Sequence, residues 1–233
     1  HSPYTLSLHD ALPISKDTDT MEKRTKTSGR LFPGFSAKIV DPVTNLIMQR
    51  GEKGEIVLRG AGIQKCYYGD EEKTKEAHKI SSEDGLEWFH SGDEGYIDRE
   101  GYFCITGRIK DMIIRGGENI APLEIEERLM NHPAIAQVSV IGVPDEKYGE
   151  QIAAFVEWSG NGRVPTDVEL RSWVREALAQ FKQPKYIWWL GSRKEFQLWP
   201  KTQSGKLRKP DLRIIGNRIL ASGVIPNQVS ARL

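Results

Sequence analysis

The sequence predicts an α+β protein in two parts: a β-rich subdomain over residues 16–109 and a small α/β unit over residues 110–215. Three observations carry this. Short β-branched and aromatic runs, separated by turn residues, fill the chain up to Gly107. Beyond Gly107, apolar stretches with helical spacing alternate with stretches that read as strands. In that second part Thr166, Asp167, Val168 and Glu169 have the capping-box form, and Leu170, Trp173, Val174, Ala177 and Leu178 follow at helical intervals.

Taken in order, His1 to Ser15 lacks a helix cap, a sustained apolar period and the basic start of a signal peptide. It resembles the translation of sequencing-adaptor read-through, so residues 1–15 are expected to be a non-native segment outside the fold, the native polypeptide starting further upstream. Lys16 to Gly29 is polar and reads as a loop. Strands are expected at Ala37 to Val40, Glu55 to Arg59, Leu86 to His90, Tyr96 to Asp98 and Tyr102 to Thr106, with a hairpin turn at Asp98, Arg99, Glu100, Gly101. Pro122 suits the first turn of a helix that carries Leu123, Ile125 and Leu129 and stops before Pro133. Ile135 to Val143 and Gln151 to Glu157 are apolar, β-branched runs and should be two strands of a small sheet. From Gly216 onward no helical period is evident, and residues 216–233 are expected to form an exposed tail.

Composition narrows the function. Of 233 residues, 38% are hydrophobic and 28% charged, and 33 basic against 32 acidic residues leave a net charge of +1, which argues against a nucleic-acid footprint or a polybasic membrane patch. No apolar run approaches the roughly 18 to 20 residues of a membrane span. Cys66 and Cys104 form no C-x-x-C pair, and both are expected to be reduced, buried thiols. His1, His9, His78, His90 and His132 are scattered, so no metal site is expected.

Familiar nucleotide motifs fail on inspection. A Walker A loop ending at Lys206 would need glycine at Pro200 and serine or threonine at Leu207. A dinucleotide fingerprint built on Gly60 and Gly62 meets Lys65, and one built on Gly160 and Gly162 meets Pro165. What remains is an ordered set of three motifs: His90 to Gly95, Gly107 to Pro122, and Pro200 to Arg208. Together they resemble the adenylate-forming superfamily, whose motifs run T-G-D-x-G, then G-R-x-K/D-D-x-I-x-x-x-G-x-x-I-x-P, then P-K-T-x-x-G-K-x-x-R. The resemblance covers about Thr25 to Leu212. Two departures are Ser91 in place of threonine and Cys66 where the family carries glycine.

The resemblance implies the end of a large AMP-binding domain, then a hinge at Lys110 and a small C-terminal domain. It makes Asp93 a ligand of the ribose hydroxyls and Arg108 a ligand of ribose or phosphate, a role its planar guanidinium suits. Gly116 and Gly117 would face coenzyme A along the pantetheine tunnel. Lys206 would be catalytic as well as nucleotide-binding, neutralising charge as a carboxylate attacks the α-phosphate. Glu124 and Glu126 are expected on a solvated face or in structural contacts.

The activity implied is that of an acyl-CoA synthetase, with a carboxylic acid, ATP and coenzyme A as substrates and magnesium held mainly by a phosphate loop that these residues do not contain. The chain alone is expected to be inactive. An adenylation domain of a peptide synthetase is the runner-up; against it stand the sequence G-G-E-N-I-A-P at Gly116 to Pro122 and the lack of a carrier motif L-G-G-x-S. A non-catalytic fragment that binds nucleotide or coenzyme A is the third reading. Ala231, Arg232 and Leu233 match the S-K-L type address read by the peroxisomal import receptor, which favours peroxisome over cytoplasm.

Overall fold

Up to Lys110 the chain builds one antiparallel sheet. The computed structural model describes residues 13–223, and these fall into two units divided between Lys110 and Asp111. The first unit holds β1 (Pro13–Ile14), α1 (Met21–Lys26), β2 (Gly29–Leu31), β3 (Phe35–Val40), β4 (Gly54–Gly60), α2 (Glu71–Ala77), β5 (His78–Ile80), β6 (Glu87–Ile97) and β7 (Tyr102–Arg108). Its seven strands run in the order β1-β2-β7-β6-β4-β3, with β5 also paired to β6. β4 lies between β6 and β3, and its run from Glu55 to Leu58 is buried on both faces. Ile56 and Leu58 pack with Ile39 and Phe103, whereas Val57 packs with Val40 and Trp88 on the other side, as a two-residue period dictates.

Three expectations need correction in this unit. Pro13 and Ile14, placed outside the fold, pair with Leu31 and Arg30, because an edge strand offers backbone groups to any extended segment. The polar segment read as a loop contains α1, which Thr20 caps by accepting the Lys23 amide. Cys66 is exposed and Cys104 half-buried. A further difference is that the runs Leu86 to His90 and Tyr96 to Asp98 belong to one strand, β6. The segment between them, read as a break, is a bulge.

From Asp111 a second sheet forms from β8 (Ile113–Arg115), β9 (Glu118–Ile120), β10 (Ile135–Asp145), β11 (Gly149–Trp158) and β12 (Tyr186–Trp189), with helices α3 (Pro122–Met130), α4 (Asp167–Arg175) and α5 (Lys209–Ala221). The order is β10-β11-β8-β9, and β12 pairs with β11 in parallel. Both faces are covered. Ile152, Ala154 and Val156 join Ile125 and Leu129 of α3 and Leu170 and Val174 of α4, while Ala153 and Phe155 join Leu212 and Ile219 of α5. Phe155 stands edge-on to Trp188 at 4.9 Å and to Phe196 at 4.8 Å between ring centroids. Each large aliphatic side chain fully buried here stabilises the unit by about 1.5 to 3 kcal/mol.

The capping box at α4 forms as read, Thr166 and Glu169 exchanging side-chain-to-backbone hydrogen bonds. The tail does not start at Gly216. Residues 216–221 are the last turns of α5, with Gly216 buried so closely that an added Cβ would stand 3.1 Å from both Trp188 and Val143. Leu212, Ile215, Gly216 and Ile219 do recur at helical spacing, but a glycine in the buried row hides the period. Ala231, Arg232 and Leu233 lie outside the described residues. No helix among the described residues is long and apolar enough to cross a membrane.

Candidate functional site

The first cluster is built on a bulge in β6. Glu55 pairs with Glu94 and Val57 with His90, so Ser91, Gly92 and Asp93 all stand opposite the single residue Ile56. Gly92 takes φ 72°, a conformation that a side chain would strain, and this turns the strand back into register. The Ser91 hydroxyl donates to the Ile56 carbonyl at 2.7 Å and accepts the Asp93 amide at 3.0 Å. Asp93 is only 4% exposed and lies opposite Arg108 on β7, whose Nε stands 3.1 Å from its Oδ1. Arg108 is itself one-third exposed at the side chain. The pair therefore presents an acceptor and a planar set of donors side by side at the end of the β6–β7 hairpin.

Glu55 on β4 lies behind this bulge. Its Oε1 accepts the Gly92 amide at 3.0 Å and its Oε2 lies 2.7 Å from His90 Nδ1. Burial pushes the Glu55 carboxyl up, but the His90 and Gly92 hydrogen bonds outweigh it and hold the group below the usual carboxylate range. Sequence reasoning quoted His90 but passed over Glu55. The available signal was a charged residue inside the apolar strand run Gly54 to Leu58.

Lys110 lies exposed in the short 3-10 turn Ile109–Asp111 that follows β7. In the second unit Gly116 and Gly117 form the tight β8–β9 turn at φ 59° and 87°, and both are exposed. The Gly116 amide donates to the Tyr148 carbonyl at 2.8 Å, the Arg115 guanidinium lies 4.5 Å over the Tyr148 ring, and Arg115 Nε donates to the buried Gln151 at 2.9 Å. Beside this turn opens a cleft of about 730 Å³ whose lining includes Arg115, Gln151, Arg171, Phe181 and Lys185. Arg115, Arg171 and Lys185 make the lining basic, with Lys185 paired to Asp145 at 2.8 Å and Arg171 to Asp167 at 3.5 Å.

Lys206 is exposed on a closed turn. The Thr202 amide donates to the Lys206 carbonyl at 2.8 Å, the Lys206 amide donates to Thr202 Oγ1 at 3.1 Å, and Lys201 bridges to Leu207. Glu124 and Glu126 have structural contacts: Glu124 lies 2.7 Å from Lys182, and Glu126 accepts the Val140 amide at 2.7 Å and lies 2.8 Å from Lys209. The structure thus brings Asp93 and Arg108 together in the first unit, and Gly116, Gly117 and Lys206 belong to the second. Among the described residues no group of three His, Cys, Asp or Glu side chains could hold a metal ion.

Residues 124–206 match the AMP-binding enzyme C-terminal domain. The acyl-CoA ligase sidI of Aspergillus fumigatus is 47% identical over 204 residues, which cover 87% of this chain and 34% of that protein. The mitochondrial medium-chain acyl-CoA ligase ACSF2 of Danio rerio is 39% identical over 84% of this chain and 30% of its own length. The chain spans about a third of the length of these curated relatives. Among solved structures, ATP-bound MatB from Rhodopseudomonas palustris aligns with a TM-score of 0.72 and 33% identity, covering 83% of this chain and 36% of that one. The anthranilate CoA ligase AuaEII in complex with anthranoyl-AMP aligns with a TM-score of 0.75 and 26% identity, over 94% and 39%. With its motifs, its folds and its relatives in agreement, the chain belongs to the adenylate-forming superfamily, in the acyl-CoA synthetase branch.

Proposed function

We propose that the chain serves as the C-terminal portion of an AMP-forming acid-CoA ligase. In the first step a substrate carboxylate attacks the α-phosphate of ATP, forming acyl-AMP and expelling pyrophosphate. In the second the coenzyme A thiol attacks the acyl carbonyl, its proton leaves to solvent or a base, and AMP departs. The observation that carries the reading is the buried Asp93 carboxylate set beside Arg108 at the end of the β6–β7 hairpin. A carboxylate there accepts hydrogen bonds from both ribose hydroxyls, and the guanidinium orients it and adds donors of its own. In the second unit, the glycine turn and the basic cleft beside it support coenzyme A as acyl acceptor: its pantetheine arm needs a close backbone approach, and its phosphates need cations. Lys206 supplies charge to the first step. Magnesium, which escorts the ATP phosphates, is assigned to a phosphate loop that these residues do not include.

Asp93→Ala tests the reading in a polypeptide that also carries the phosphate loop. Losing charge-assisted bonds to the ribose should raise KM for ATP by about 10- to 100-fold. An unchanged KM would remove Asp93 from the nucleotide site.

A peroxisomal destination is supported by Ala231, Arg232 and Leu233 alone, where those residues close the polypeptide. Fused behind a fluorescent protein, residues 216–233 should give punctate fluorescence in eukaryotic cells that turns diffuse when Leu233 is deleted. Diffuse fluorescence in both cases would leave cytoplasm as the destination.

A further inference from the structure

We propose that Glu55 and His90 are positioning residues for nucleotide binding, holding the Ser91 to Asp93 bulge in the one shape that aims the Asp93 carboxylate. The inference rests on the acyl-CoA synthetase reading and assigns roles to two residues that make no claim to touch substrate.

The bulge is a poor local minimum without help. Three residues oppose one, so the ladder cannot satisfy every amide between His90 and Glu94, and the left-handed Gly92 exposes its N–H toward β4 rather than along it. Glu55 supplies the missing acceptor. One oxygen takes the Gly92 amide at 3.0 Å and the other takes His90 Nδ1 at 2.7 Å, so a single carboxylate grips the residues on either side of Ser91. Ser91 is gripped separately through the Ile56 carbonyl. Every one of these anchors lies on β4, and Asp93 is the next residue along the chain. A carboxylate 7% exposed within a strand that otherwise buries Ile56, Val57 and Leu58 costs stability unless its bonds do something in return. Here they fix the peptide that precedes the ribose ligand.

A purely structural ion pair between β4 and β6 is the competing account, and a split between affinity and stability separates the two. In the intact ligase, Glu55→Gln keeps both contacts: the amide oxygen accepts from Gly92 and the amide nitrogen donates to His90 Nδ1. Its KM for ATP should stay within about threefold of the parent. Glu55→Ala leaves the Gly92 amide unsatisfied and the bulge free to relax, and should raise KM for ATP about tenfold while kcat changes by less than about threefold. If Glu55→Ala does not fold, His90→Ala, which removes one of the two grips, should still raise KM for ATP by about threefold to fivefold in the folded enzyme, whatever the change in its thermal midpoint. Folded Glu55→Ala or His90→Ala enzyme with a lowered thermal midpoint and an unchanged KM for ATP would overturn positioning and leave the structural ion pair. A parent enzyme that releases no carboxylate-dependent pyrophosphate would overturn the ligase reading itself, and the positioning role with it.

Discussion

Lys206→Ala should slow acyl-AMP formation by about 10²- to 10³-fold, the usual loss when one preorganised charge is removed from a developing transition state. The side chain is exposed on a turn whose backbone contacts run through Thr202. Truncating it removes an ammonium without disturbing a core. In its proposed role Lys206 serves the first half-reaction, in which a carboxylate approaches the α-phosphate and pyrophosphate departs. Thioester formation from supplied acyl-AMP also builds negative charge as AMP leaves, but that charge is not assigned to Lys206, and the step should stay within a few-fold of the parent. Pyrophosphate release and acyl-CoA formation from synthetic acyl-AMP, measured separately in a polypeptide that carries the phosphate loop, check the split. Equal losses in both would point to misfolding or to another role for Lys206.

Lys110→Pro should reverse that pattern, lowering the thioester step by about 10²-fold, the scale on which a small misplacement of reacting groups is felt. Lys110 lies in a 3-10 turn immediately after β7, at the division between the two units. A hinge there works through backbone dihedrals, and proline fixes φ near −65°. The adenylate-forming step should change far less. Lys110→Ala is the control: it removes the side chain and keeps the torsional freedom, so both half-reactions should persist. Two unchanged half-reactions in Lys110→Pro would end the hinge assignment.

The parts of the fold that could be read from sequence are those specified locally. The Thr166 to Glu169 capping box, Pro122 at the start of α3, and the β10 and β11 runs each carry their own signal within a few residues. What escaped depends on distant partners. β6 reads as two strands because the bulge that joins its halves is defined by Glu55 and Ile56, some 35 positions earlier. α5 was missed because Gly216 fills a core position, where an added Cβ would sit tightly, 3.1 Å from Trp188 and from Val143. Asp93, Arg108, Lys110, Gly116, Gly117 and Lys206 are proposed as site residues only as members of an ordered motif set, since each alone reads as an ordinary turn, ion pair or surface charge. Glu55 had no motif to belong to. Its meaning appears only when the amide it satisfies is seen across the sheet.

The turn that carries Lys206 has one more consequence. Its backbone is closed by the Thr202 and Lys206 hydrogen bonds and by the Arg208 amide on the Pro200 carbonyl at 2.9 Å. Conformational entropy of roughly 1 to 2 kcal/mol per residue is thus surrendered when the unit folds, before ATP arrives. In the proposed role of Lys206, nucleotide binding then meets a turn whose backbone is already ordered. Any change that unlaces the turn would transfer that cost to the chemical step. In the role proposed for Lys206, Thr202 and Pro200 would contribute to the adenylation rate through the disorder they have already removed.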